Sequence, residues 1–142
     1  MAEISLEPYI FFKGNAKQAM EFYKDVFGGE LTMSTLGQSP KDVLEQMKID
    51  ESRYGEIMHA SLKGPVNLMA SDSQMASDHS AKVELSLGGT DEAQMKEIWE
   101  KLADGGKVKM PLAKQFWGDT FGMLTDKFGI DWNMNIGDNM GQ

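Results

Sequence analysis

The sequence predicts an α+β fold built from two βαβββ modules, and three observations lead there. The pattern strand, helix, Gly-Gly, strand occurs twice, roughly 76 residues apart. Three further strand-like runs follow each helix. Each helix carries a single apolar face that has to be buried on a sheet. At 142 residues the chain has the size of one domain. We therefore expect one domain over residues 1–142, with module one at about 1–72, a linker at about 73–80 and module two at about 81–137. The chain is not split further, because one helix over four strands would leave the other sheet face of a lone module bare.

In the first module Tyr9-Ile10-Phe11-Phe12 reads as a strand. Asn15 then opens a helix, with Gln18 three residues on in a capping-box arrangement, and Gly28-Gly29 closes it. Ala16, Ala19, Met20, Tyr23, Val26 and Phe27 recur at helical spacing. In the second module Lys82 to Leu87 alternates as a strand does, Thr90 or Asp91 caps a helix ending at Gly105-Gly106, and Met95, Ile98, Trp99 and Leu102 form its apolar face. The later strands fall around Leu31 to Leu36, Ile57 to Leu62, Val66 to Ala70, Val108 to Met110, Phe121 to Thr125 and Ile130 to Ile136. Gly37 to Glu56 is long for a hairpin connection and holds a short helix after Ser39-Pro40, with Val43, Leu44 and Met47 as its apolar residues. The Ser- and Asp-rich stretch Ala70 to Ala81 reads as the connection between the modules.

Composition narrows the function classes. Twenty-two acidic against 14 basic side chains give a net charge of −8, which offers no footprint for phosphate backbones or anionic lipid. Neither nucleic acid nor a membrane surface is expected as a partner. The chain has no cysteine, which removes disulfides, thiolate metal sites and a cysteine nucleophile together. An acid stands near the N-terminus and no apolar segment of signal-peptide type follows, so a cytoplasmic location is expected. No GxSxG, P-loop or HExxH string occurs.

Strand alternation sorts side chains onto two faces. Ile130, Trp132, Met134 and Ile136 oppose Asp131, Asn133 and Asn135; Val83, Leu85 and Leu87 oppose Lys82, Glu84 and Ser86; Met58, Ala60 and Leu62 oppose His59, Ser61 and Lys63. The apolar faces suit covering by the helices. The polar faces suit either plain solvation or contact with a ligand. Met33, Met58 and Met134 read as adaptable core filler, and Gly118, Gly122 and Gly129 as turn or bulge positions.

Tyr9-Ile10-Phe11-Phe12-Lys13-Gly14-Asn15-Ala16, Phe22-Tyr23 before Phe27-Gly28-Gly29-Glu30, Met58-His59-Ala60, and the C-terminal Gln115-Phe116-Trp117-Gly118, Phe121-Gly122, Thr125-Asp126-Lys127-Phe128-Gly129 and Trp132 carry a family resemblance. The chain resembles the PhnB-like branch of the vicinal oxygen chelate, or glyoxalase/bleomycin-resistance/dioxygenase, superfamily over almost its whole length. The resemblance implies paired βαβββ modules whose mixed sheet curves into a cup, often in a dimer.

It also implies positions for metal ligands facing the cup. These fall on Pro8, on Asn67 or Met69, on Lys82 and on Asn133, and such a set lacks the converging carboxylates or imidazoles that a hard divalent ion requires. The expectation is a PhnB-like protein that holds a small organic ligand in a metal-free cup, with no cofactor. Its candidate contacts are His59, Ser61, Asn67, Lys82, Glu84, Trp117, Asp131 and Asn133. The alternative is a metal-dependent lyase, isomerase or dioxygenase whose divalent metal sits at a shifted site including His59 and Glu84. Members of this branch have been labelled demethylubiquinone methyltransferases. No glycine-rich GxGxG turn supports that label, since Gly28-Gly29 and Gly105-Gly106 follow helices instead of preceding them. Strand edges left over by two modules, with the aromatic residues around Trp117, lead us to expect a homodimer.

Overall fold

The computed structural model describes residues 6–73 and 83–137, which fall into two compact units, one up to residue 78 and the other from 79 on. In the first unit β1 (Tyr9–Phe12) leads to α1 (Ala16–Phe27) and β2 (Glu30–Thr35). A long excursion follows, with 3-10 turns at Leu36–Gln38 and Glu51–Arg53 flanking the short α2 (Lys41–Gln46). The chain returns through β3 (Ile57–Lys63) and β4 (Leu68–Asp72). The sheet order is β1-β4-β3-β2, with β1 parallel to β4 and the other pairs antiparallel. The second unit repeats the plan with β5 (Leu85–Gly89), α3 (Glu92–Ala103), β6 (Lys107–Lys114), β7 (Thr120–Thr125) and β8 (Asp131–Ile136), in the order β5-β8-β7-β6. These are the two four-stranded mixed sheets expected of the α+β class. No helix among the described residues is long and apolar enough to cross a membrane.

The six apolar residues at helical spacing in α1 are all buried. They lie against the inward residues Ala60 and Leu62 of β3 and Leu68 and Ala70 of β4, each large side chain contributing about 1.5–3 kcal/mol by leaving water. In the second unit Met95, Trp99 and Leu102 of α3 cover Leu124, Trp132, Met134 and Ile136, while Ile98 is only half-buried. Gly122 lies in the middle of β7, not at a turn. A Cβ there would stand 2.7 Å from the Trp99 ring and 2.9 Å from the Leu112 backbone, so the indole and the neighbouring strand take the space a side chain would need. Gly118 and Gly129 do sit in turns, with φ of 100° and 87°.

Several local expectations are corrected. Asn15 precedes α1 but its side chain makes no cap hydrogen bond. The Asp72 carboxylate of β4 takes that role, its Oδ1 accepting from the Gly14 and Ala16 nitrogens at 2.9 Å each, and its Oδ2 from the Ile57 nitrogen at 2.8 Å. β4 thus runs through Asp72, two residues past the strand end expected at Ala70; most of the linker expected at about 73–80, with His79, lies outside the described residues. Met58 is not core. Thr35 pairs with Ile57 and Ser34 with His59, so Met58 is the extra residue of a bulge; it is 44% exposed and its Sδ accepts from Ser39 Oγ at 3.4 Å. Ile57 takes the inward place and is buried. Met47 is exposed, and only Leu44 anchors α2 in the interior. Val83 is exposed too, because the parallel pairing of β5 with β8 begins at Leu85 opposite Trp132.

Candidate ligand-binding site

Beyond the bulge, β3 alternates cleanly. Ala60 and Leu62 face α1 and leave His59, Ser61 and Lys63 on the opposite face. Thr32 of β2 stands beside Ser61, and Glu30 beside Lys63, as register partners on that face. These residues, with Glu7, Asn67 and Met69, line a cavity of about 580 Å³ within the first unit, inside the roughly 300–1,000 Å³ of small-molecule pockets. Tyr9 Oη lies 3.2 Å from His59 Nδ1, so the hydroxyl donates to the ring when the imidazole carries its proton on Nε2. Phe11 continues the aromatic strip, its ring centroid 5.1 Å from that of Tyr9. Asn67 sits just before β4, where its Oδ1 accepts from the Gly64 nitrogen at 3.3 Å and closes the β3–β4 turn.

Three other predicted residues meet in the second unit. Glu84, immediately before β5, accepts from Lys109 Nζ at 3.3 Å and from Asn133 Nδ2 at 3.2 Å. Lys109 also pairs with Asp131 at 3.3 Å, and Thr125 Oγ1 donates to the same Asp131 carboxylate. Partial desolvation works to lower the Lys109 pKa, but hydrogen bonds to Glu84 and Asp131 and the charge of both carboxylates outweigh it, so the ammonium is held above the ordinary lysine range. Trp117 stands apart from this cluster in sequence, on the turn between β6 and β7. It is 41% exposed and packs edge-on against Phe116 and Phe121, with centroids 5.0 and 6.1 Å away. Lys82 lies outside the described residues.

The structure thus brings His59, Ser61 and Asn67 to one cavity, and Glu84, Asp131 and Asn133 to one ion-pair network. Sequence reasoning missed Glu7, Glu30 and Thr32 at the cavity, Tyr9 behind His59, and Lys109 at the centre of the network. Alternation could have put Tyr9 on the His59 face. Nothing local pairs Lys109 with a carboxylate 25 positions upstream.

A family model described as 3-demethylubiquinone-9 3-methyltransferase matches residues 5–135. The chain belongs to that PhnB-like family. Protein YjdN of Escherichia coli (strain K12) is 30% identical over 138 residues, covering 92% of this chain and 94% of that protein. Among solved structures, protein PA1353 of Pseudomonas aeruginosa is 34% identical with a TM-score of 0.81, over 94% of this chain and 98% of that one. The putative 3-demethylubiquinone-9 3-methyltransferase, PhnB protein, of Bacillus cereus is 22% identical with a TM-score of 0.73, over 94% and 100% of the two chains. More distant structures from the glyoxalase/bleomycin-resistance/dioxygenase superfamily share the fold.

Membership in the PhnB-like family brings two chemistries to test against these residues. Transfer of a methyl group from a nucleoside donor calls for a strand-to-helix turn with open main-chain amides. Both such turns here already hold a side-chain carboxylate, that of Asp72 at α1 and that of Asp91, which accepts from the Gln94 nitrogen, at α3. The divalent metal common in the superfamily fits no better. Pro8 has no donor side chain, the Asn67 oxygen is committed to Gly64, and Asn133, its nitrogen bonded to Glu84, offers only a neutral amide oxygen. Lys109 sets a cation between the two nearest carboxylates. Of the shifted pair, His59 is held by Tyr9 in the first unit and Glu84 by Lys109 and Asn133 in the second. Among the described residues no group of three or more His, Asp or Glu is placed to hold a metal ion.

Proposed function

We propose that this PhnB-like protein binds a small organic molecule in the cavity over the polar face of its first sheet, without a resident divalent metal. One observation carries this reading: a cavity of about 580 Å³ whose walls set the hydrogen-bonding groups of His59, Ser61 and Thr32 beside the half-buried side chain of Met69. Apolar surface gives a small-molecule site affinity, and a few oriented polar groups give it orientation. Sequestration needs nothing more than this, whereas turnover would require a proton-transfer partner for His59 beyond Tyr9.

The test joins metal analysis to ligand screening. Protein purified without chelators should contain no stoichiometric divalent ion, and its thermal melt should not shift on adding Mn²⁺, Zn²⁺ or Ni²⁺. A library of small organic molecules should yield compounds that raise the melting temperature of the wild type but not of Ser61→Trp, which fills the cavity. A stoichiometric ion would favour the metal-dependent lyase, isomerase or dioxygenase reading. Hits that stabilise Ser61→Trp equally would move the site elsewhere.

A further inference from the structure

We propose that the cavity selects a ring-bearing organic cation, in chemical class an arylalkyl amine, over anions of the same shape; this deepens the reading that the cavity binds a small molecule and rests on it. The charge of the walls is the first argument. Glu7 and Glu30 line the cavity against a single permanent cation, Lys63. Lys63 is the register partner of Glu30 across the β2–β3 pair, and with Glu7 the walls carry one carboxylate in excess of their cations. Neither Glu7 nor Glu30 has a hydrogen bond or an ion pair among the described residues. An entering carboxylate or phosphate would give up water to face this excess of negative charge, whereas an ammonium would gain partners that the protein leaves open. The chain's net charge of −8 favours the same sign of ligand from a distance.

Aromatic surface is the second argument. Tyr9 and Phe11 are 40% and 57% exposed although they occupy a sheet strand. Tyr9 reaches the cavity wall through His59, with ring centroids 5.9 Å apart. Rings held open next to His59, itself a wall of the cavity, suit a ligand that is flat at one end and positively charged at the other, because a ring face attracts both another ring and a cation.

Titration calorimetry at low salt with 2-phenylethylamine, 2-phenylethanol and 3-phenylpropionate separates charge from shape. The amine should bind at least about tenfold more tightly than the carboxylate, a gap of one decade in Kd. Glu7→Gln should narrow that gap several-fold, Glu30→Gln should narrow it in the same direction, and Tyr9→Leu should weaken amine and alcohol together. If the carboxylate binds as tightly as the amine, or if both glutamine variants leave the gap unchanged, the charge selection is wrong while the cavity still binds. If none of the three probes binds, or if Ser61→Trp binds them as well as the wild type, the selection and the cavity reading fall together.

Discussion

The carboxylate of Asp72 caps the helix that begins at Ala16, accepting from its main-chain nitrogen at 2.9 Å across 56 residues of sequence. The same carboxylate holds Gly14 and the start of β3 at Ile57, so one side chain fixes where three segments of the first unit meet. Asp72→Ala should cost about 2–3 kcal/mol in urea melts, for the loss of a cap and of bonds to a charged acceptor. Asn15→Ala, at the position a local capping rule would choose, should change stability by less than about 0.5 kcal/mol.

Trp132 is 2% exposed, and its indole nitrogen donates to the buried Asp126 carboxylate at 2.9 Å. Trp132→Ala should cost about 3–5 kcal/mol by opening a cavity. Asn133→Ala, one residue on and on the opposite face, should cost less than about 1 kcal/mol. Reversal of these two results in urea melts would mean that β8 is displaced by one residue.

Gly122→Ala should destabilise by about 1–3 kcal/mol, because the added methyl meets both the Trp99 ring and the Leu112 backbone. Gly55→Ala, with open space at the Cβ position, provides the control. Thermal melts that failed to separate the two variants would contradict the packing of α3 on β7.

Lys109 has a folded-state pKa above the ordinary lysine value, so its contribution to stability is fully present below that ordinary value and is lost as pH rises through the raised one. The stability gap between wild type and Lys109→Met should therefore stay level from neutral pH to about 9 and close at pH values beyond about 10.4. A gap that closed near pH 7 would assign the effect to a different group.

Phe116 is 96% exposed and stacks edge-on with Trp117 at the β6–β7 turn. We expect this aromatic pair to take part in a homodimer, and sedimentation at micromolar concentration should give twice the 15.8 kDa chain mass. Phe116→Ser should shift the distribution toward monomer. A wild-type species of 15.8 kDa alone would leave the turn without a self-association role.

Much of the fold is legible in the sequence because its signals are periodic. The apolar faces of α1 and α3 and the alternation of β8 follow directly from residue spacing. What is not legible depends on partners distant in sequence. Lys82-Val83-Glu84 alternates as well as the residues after it, yet β5 starts at Leu85, where its parallel pairing with β8 begins opposite Trp132. Ile130 falls outside β8 for a related reason: its nitrogen and carbonyl are both taken by Asp126. At the candidate site, His59 and Ser61 could be found by alternation. Lys109 could not, since only the folded sheet sets it between Glu84 and Asp131.

Met58 works as a spacer in the chain's phase. Upstream of it Ile57 faces the interior, and downstream His59 faces the cavity, although a plain strand would put residues two apart on one side. Deleting Met58 would leave Ile57, His59 and Ala60 alternating in, out, in, with neither wall inverted. At this point, therefore, a one-residue gain or loss in a related gene leaves the reading of both faces intact, whereas the same change two residues later would turn Ser61 into the core and Leu62 out of it.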